Sequence, residues 1–230
     1  MQLIGVAIGF ILLTIVIYFL MNVVYMKFHF PFLVPIITTT ITIIVILVVF
    51  NIPYETYMIG GQWINQLLGP AVVSLAIPLY KQRALLKLQI YPILTGVFTG
   101  CLTGMVTGVL FAKSAGFSKE LVLSILPKSI TTPIAMQISE QVGGIPALAA
   151  VFVIIAGITG VLLSPYFLKF FKLDSTLGRG IGLGVATHAI GTSKAIEYGE
   201  QEASLSSVAM TLSAIFGSVL GPVIAWIFYL

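Results

Sequence analysis

Charge is scarce in this sequence. Only 8% of its 230 residues are Asp, Glu, Lys or Arg, against about 25% in an ordinary soluble domain. So little charge cannot cover a water-facing surface, which excludes a soluble globular fold. Cysteine is almost absent as well. Cys101 stands alone, so no intrachain disulfide can form, and a metal site would need other ligands nearby. Dense basic runs are missing, and the net charge of +4 fits the loop bias of a membrane protein better than nucleic-acid binding. The first 26 residues contain no basic leader region and no small-residue cleavage site, so they read as a first membrane helix. Catalytic signatures are missing too: there is no HExxH, no G-x-S-x-G and no Walker loop. Gly178, Gly180, Gly182 and Gly184 lack the strand–helix setting of a dinucleotide site. A hydrolase built on His188 and Ser193 lacks a well-placed carboxylate. No enzyme activity, cofactor or metal is expected.

What remains is hydrocarbon. The sequence is 59% hydrophobic, with a mean hydropathy of +1.13. Its apolar runs of about 20 residues match a ~30 Å hydrocarbon layer in helical form, whereas a β-barrel shows alternating segments of about 10. The expected fold is all-α: one integral membrane domain over 1–230, polytopic, with six to eight membrane segments. The runs fall at 3–24, 32–50, 60–80, 89–112, 121–141, 146–168, 181–197 and 204–229.

Three of these runs are interrupted. The first, 60–80, contains Gly69, Pro70 and Pro78. The second, 121–141, contains Pro127, Lys128 and Pro133. The third, 181–197, carries His188, Lys194 and Glu197. An internal proline removes a helix hydrogen bond, and in lipid that is tolerated only where protein or a wet cavity takes up the freed groups. Loop charge bears on topology. Lys27, then Lys81, Arg83 and Lys87, then Lys169, Lys172 and Arg179 form three basic loops. Eight plain crossings would split them between the two sides. If 121–141 enters and leaves on one side, all three face the cytoplasm, as the positive-inside rule favours, and Glu197, Glu200 and Glu202 face out. Lys113 and Lys119 are then external exceptions. A faint duplication into halves 1–115 and 116–230 places the broken runs 60–80 and 181–197 in matching positions, the pattern that points to a transporter site.

Ionised residues inside a membrane cost roughly 2.5–3.5 kcal/mol each at a helix centre, so they are usually kept for a substrate, ion or proton. The segment LPKSITTPIAM (126–136) offers Lys128 with the hydroxyls of Ser129, Thr131 and Thr132, a set suited to a small carboxylate. The segment LGVATHAIGTSKAIE (183–197) offers His188, the natural proton carrier near neutral pH, beside Gly191, Thr192, Ser193 and Lys194. The plainer readings stay open: Lys128 snorkelling to the interface, and His188 hydrogen-bonding a neighbouring helix. Gly96, Gly100, Gly104 and Gly108 line one helix face and permit close packing, within the chain or between protomers.

Three segments together, LLGPAVVSLAIPLYKQ, LPKSITTPIAMQISEQVGGIPAL and GVATHAIGTSKAIEYGEQEASLSSVAM, resemble the LrgB/CidB family across essentially the whole chain, nearer its CidB-type branch. The resemblance implies a bacterial inner (plasma) membrane location, multi-pass, and two descriptions of function. One is a holin/antiholin-like modulator of murein hydrolase activity, autolysis and programmed cell death, acting with a small LrgA/CidA-type membrane partner. The other is a carrier of small monocarboxylates, as bacterial members are linked to pyruvate and a plastid relative to glycolate and glycerate. The residues favour the carrier, proton-coupled through His188. A homo-oligomer in the lipid bilayer is compatible with either description.

Overall fold

Long apolar runs become helices because only a helix satisfies its own backbone where water is absent. The computed structural model describes residues 2–28, 33, 35–67, 70, 73–74 and 76–228, and the regular elements among them are helical. The principal helices are α1 (Gln2–Phe28), α2 (Pro35–Val49), α3 (Tyr54–Gln66), α4 (Ala76–Lys81), α5 (Arg83–Leu88), α6 (Ile90–Ser114), α7 (Lys119–Ile125), α8 (Thr132–Val142), α9 (Pro146–Phe170), α10 (Thr176–Ala195) and α11 (Glu200–Ile227). Among the described residues four helices, α1, α6, α9 and α11, are long and apolar enough to cross a membrane. The sequence reading expects six to eight segments. Of the other expected runs, 32–50 gives the shorter helix α2, 121–141 and 181–197 each fold back on themselves, and 60–80 lies partly outside the described residues.

The chain forms two compact units, Met1–Ala71 and Val72–Leu230. In the first, α1 packs against α2 and α3. A methyl group on Gly60 would lie 2.7 Å from the Ala7 carbonyl oxygen, so α3 touches α1 backbone to backbone. Further along, Thr14 shares a 3.1 Å hydrogen bond with Tyr57, whose ring meets Phe10 edge-on. Gly69 lies outside the described residues and Pro70 is helical, so the expected break there remains a reading of the sequence.

The second unit is built on α6. Gly96 faces Ile181 and Gly100 faces Val185, both from α10. Gly104 faces Ser129 and Gly108 faces Lys128, both from the segment between α7 and α8. The glycine row is therefore an internal rail, and the order of its partners fixes directions. The first arm of α10 runs parallel to α6 from the end where α6 begins. The α7–α8 segment approaches from the end where α6 finishes.

Both approaching segments are hairpins. The Ile145 N–H donates to Ser124 Oγ at 2.8 Å, and a methyl on Gly144 would meet Ser139 Oγ at 2.5 Å and Ser124 N at 2.9 Å. The two arms α7 and α8 thus lie side by side and antiparallel, with 126–131 as the tip. That tip is a pair of tight turns, Lys128 N–H to Ile125 O and Ile130 N–H to Pro127 O, both 3.0 Å. Pro133 does not break a helix. It sits in the first turn of α8, where a missing N–H is tolerated.

In α10 the break is at His188, whose backbone has φ 43° and ψ −129°. A methyl on Gly191 would lie 2.7 Å from the Leu183 carbonyl oxygen, whereas eight residues of continuous helix separate such groups by about 12 Å. The arms 176–187 and 189–195 therefore fold against each other. Arg179, early in the first arm, stacks 5.8 Å from the Tyr198 ring, just past the second. This corrects the sequence reading of 181–197 as a crossing: Glu197, Glu200 and Glu202 lie at the same end as Lys169, Lys172 and Arg179. Helix α9 returns between the hairpins, and α11 packs along both. A methyl on Gly180 would touch Leu205 Cβ at 2.5 Å, and one on Gly221 would touch Ile138 Cγ2 at 2.7 Å.

Candidate functional site

The two tips enter the second unit from opposite ends and meet midway along α6. Lys128 is half-buried, and its Nζ donates to Ser129 Oγ at 3.2 Å. The ion pairs among the described residues are Arg179–Asp174 and Lys194–Glu197, so no carboxylate compensates Lys128. The His188 imidazole, on the opposing tip, is 3% exposed and lies against the Lys128 main chain within electrostatic range of its ammonium. Its Nε2 has no hydrogen-bond partner, and neither has the buried Thr131 Oγ1 at the head of α8. Buried polar atoms are normally paired, and an uncompensated buried charge is destabilising. A lone cation, an orphan imidazole nitrogen, an orphan hydroxyl and the open N–H groups of a helix start together form a setting for an anion.

The sequence shapes this setting through small residues on the helices around it. A methyl on Gly157 of α9 would come within 2.8 Å of His188 Cε1, and one on Gly160 would overlap Thr187 Cγ2. Both glycines keep α9 close enough to bury the tip. His188 holds a positive φ that non-glycine residues rarely adopt, and such strain collects at functional sites. Thr187 Oγ1 donates to Leu183 O at 2.6 Å, and Thr192 Oγ1 donates to His188 O at 3.0 Å while sharing a 3.0 Å bond with Ser206. The Thr187 and Thr192 hydroxyls thus turn back onto carbonyls of their own arms on either side of the break.

A cavity of about 870 Å³ opens beside the tips, between α6, α9 and the first arm of α10. Among the described residues that line it, Lys128 is the one ionisable group. Ser129, Thr103, Thr107, Thr159, Ser164 and Thr187 add hydroxyls, and most of the remaining wall is apolar.

Of the residues singled out in the sequence, Lys128 and Ser129 line the cavity. Pro127, Thr131, Thr132 and Pro133 shape the first tip, while His188, Gly191 and Thr192 stand at or beside the second. Ser193 and Lys194 are not brought to the tips. Ser193 Oγ bonds back to Ala189 O at 3.3 Å, and Lys194 pairs with Glu197 toward the basic end. Sequence reasoning missed Thr103, Thr107, Phe152 and Thr159. The threonines at 95, 99, 103 and 107 recur every four residues, a visible polar stripe on a membrane helix. Cys101 is buried, its thiol near Ser213 O at 3.8 Å, and no cluster of metal-ligating side chains occurs among the described residues.

The model of the LrgB-like family matches residues 14–227. The chain is 54% identical over 230 residues, the whole of both chains, to a Bacillus subtilis (strain 168) protein described as uncharacterized protein YxaC. It is 37% identical over 219 residues to the Holin-like protein CidB of Staphylococcus aureus (strain N315), covering 95% of this chain and 96% of the relative. It is also 37% identical over 223 residues to the Holin-like protein CidB of Staphylococcus epidermidis (strain ATCC 12228 / FDA PCI 1200), covering 97% of each. No solved structure matches.

Proposed function

This chain belongs to the LrgB-like family, a family of membrane proteins with holin-like CidB members, and we propose that it acts as a membrane carrier for small monocarboxylates. The observation that carries this reading is the meeting of two hairpin tips, from opposite ends, at an uncompensated lysine beside a cavity. A protein that only modulates a partner has no use for a half-buried cation without a counter-charge. A carrier has one, because an arriving carboxylate neutralises it. Helix α6 with its hairpin α7–α8, and α9 with the hairpin α10, are two span-plus-hairpin pairs of opposite direction. Such inverted pairs suit alternating access around a central site.

In this reading Lys128 and Ser129 hold the carboxylate, and Thr131 with the start of α8 completes the anion shell. His188, which faces the same point, carries the coupled proton. The end that bears Lys81, Arg83, Lys87, Lys169, Lys172 and Arg179 faces the cytoplasm, with the chain in the bacterial inner membrane and crossing it several times. Pyruvate and glycolate are the first substrates to try. A small LrgA/CidA-type membrane protein is the expected partner, and no catalytic step is assigned.

The second reading, a holin/antiholin-like modulator of murein hydrolase activity, is favoured only in its holin-like part by the CidB relatives, which are described as holin-like proteins. Proteoliposomes separate the two. Labelled pyruvate or glycolate should accumulate under an imposed pH gradient, and Lys128→Ala or His188→Ala should abolish uptake while the protein still inserts. Absence of uptake, with and without the partner, would sink the carrier. Normal uptake by both variants would remove the site.

A further inference from the structure

The cavity beside Lys128 is larger and more apolar than a three-carbon acid requires. Its volume of about 870 Å³ lies near the top of the range that encloses drug-sized ligands, roughly 300–1,000 Å³. Its polarity is lopsided. The cation and its hydroxyl neighbours, Ser129 and Thr107, occupy one region of the wall. Away from them the wall is mostly hydrocarbon and aromatic ring, with Ile155, Ala156, Leu163, Phe167 and Phe171 from α9 and its C-cap, broken by the hydroxyls of Thr159 and Ser164 and open along its exposed edge. That wall follows α9 toward the basic end, where Leu173 also lines it and Arg179 Nε holds the Leu173 carbonyl at 3.1 Å. Lys169 and Lys172 lie near Phe167, Phe171 and Leu173 in the sequence, so the end of the chain's second unit toward which this wall runs is basic.

We infer that the cavity is a subsite for an apolar body attached to the carboxylate, so that the ligand is an amphipathic monocarboxylate with a hydrocarbon tail. The inference rests on the carrier reading for the role of Lys128 and extends its substrate range from two- and three-carbon acids to acids with a longer tail. The carboxylate sits between Lys128 Nζ and Ser129, and the tail runs along the α9 wall toward Phe167. Each methylene removed from water there adds affinity, whereas a two- or three-carbon acid leaves most of the wall unfilled. A wholly neutral occupant such as a lipid tail would leave Lys128 without a counter-charge.

The test is binding to the purified chain, read as thermal stabilisation against ligand concentration, for 2-oxopropanoate, 2-oxobutanoate, 2-oxopentanoate, 2-oxohexanoate and 2-oxooctanoate. Affinity should rise about fourfold per added methylene, the equivalent of the ~0.8 kcal/mol that burial of one CH₂ contributes. The neutral 2-hexanone should bind far more weakly than 2-oxohexanoate. Ala156→Phe, which fills the wall, should weaken 2-oxooctanoate at least about tenfold more than 2-oxopropanoate. A flat or falling series overturns the inference even where pyruvate is carried. Equal binding of 2-hexanone also overturns it, because the pocket then reads only grease. Stabilisation by none of the acids overturns it together with the carrier reading.

Discussion

His188 lends itself to a paired substitution that separates backbone strain from chemistry. Its φ of 43° and ψ of −129° lie where glycine is at ease and other residues are not. Replacing the ring with alanine keeps that conflict, whereas glycine removes it. Strain of this kind is worth about 1–3 kcal/mol, and the extra freedom of unfolded glycine takes back about 0.4–1 kcal/mol. Both variants lose the buried ring and its unpaired Nε2 equally, so those terms cancel between them. His188→Gly should therefore be more stable than His188→Ala by about 0.5–2 kcal/mol. For a chain of this length that corresponds to a Tm difference of roughly 1–8 °C. Uptake should be lost in both, since neither can move a proton or face Lys128 with an imidazole. Thermal unfolding in one detergent, paired with vesicle uptake, measures both quantities. An alanine variant as stable as the glycine variant would refute the folded-back geometry at residue 188. Retained uptake in either variant would refute the role of the ring.

Two further tests address the folding of the unit. Single cysteines placed at Lys172 and Glu197 should label from one side of the membrane and those at Ser118 and Glu140 from the other, with buried Cys101 silent; labelling of 172 and 197 from opposite sides would restore a crossing helix. Gly184 and Gly182 form a contrast on one arm. A methyl on Gly184 would overlap the Ser206 carbonyl and come within 2.9 Å of Ala209 Cβ, while one on Gly182 meets nothing within 4 Å. Gly184→Ala should cost about 1–3 kcal/mol by overpacking against rigid backbone, and Gly182→Ala should be neutral or stabilising by up to about 1 kcal/mol, both read from unfolding in detergent.

Composition alone made the helical membrane class legible, because too little charge and long apolar runs leave no other solution. The chemistry was legible in part for the same energetic reason. Lys128 and His188 stand out because ionisable groups are expensive in hydrocarbon, and the structure brings the two together. What hydropathy could not distinguish is a run that crosses from a run that turns back. The first arm of α10, 176–187, rises about 18 Å at ~1.5 Å per residue, too short for a ~30 Å layer, but nothing apolar marks where it ends. The turn lies in the backbone of one residue, and a histidine gives no warning of a glycine-like φ. The repeat pattern admits a second alignment. The sequence pairs 60–80 with 181–197, a match that falls partly outside the described residues, and the geometry also sets 119–142 opposite 176–199. A shift of 60 positions places Lys128 on His188, with Ile130, Thr132, Ala135, Glu140 and Gln141 on Ile190, Thr192, Ala195, Glu200 and Gln201. The preceding spans share TGVL at 107–110 and 159–162, and there Gly108 faces Lys128 as Gly160 faces Thr187. That echo lies in polar and small residues, which are few in a membrane chain and so match by chance less often than leucines. Read with the geometry, it sets Lys128 and His188 at matching places on the two tips, where the carrier reading assigns them their roles.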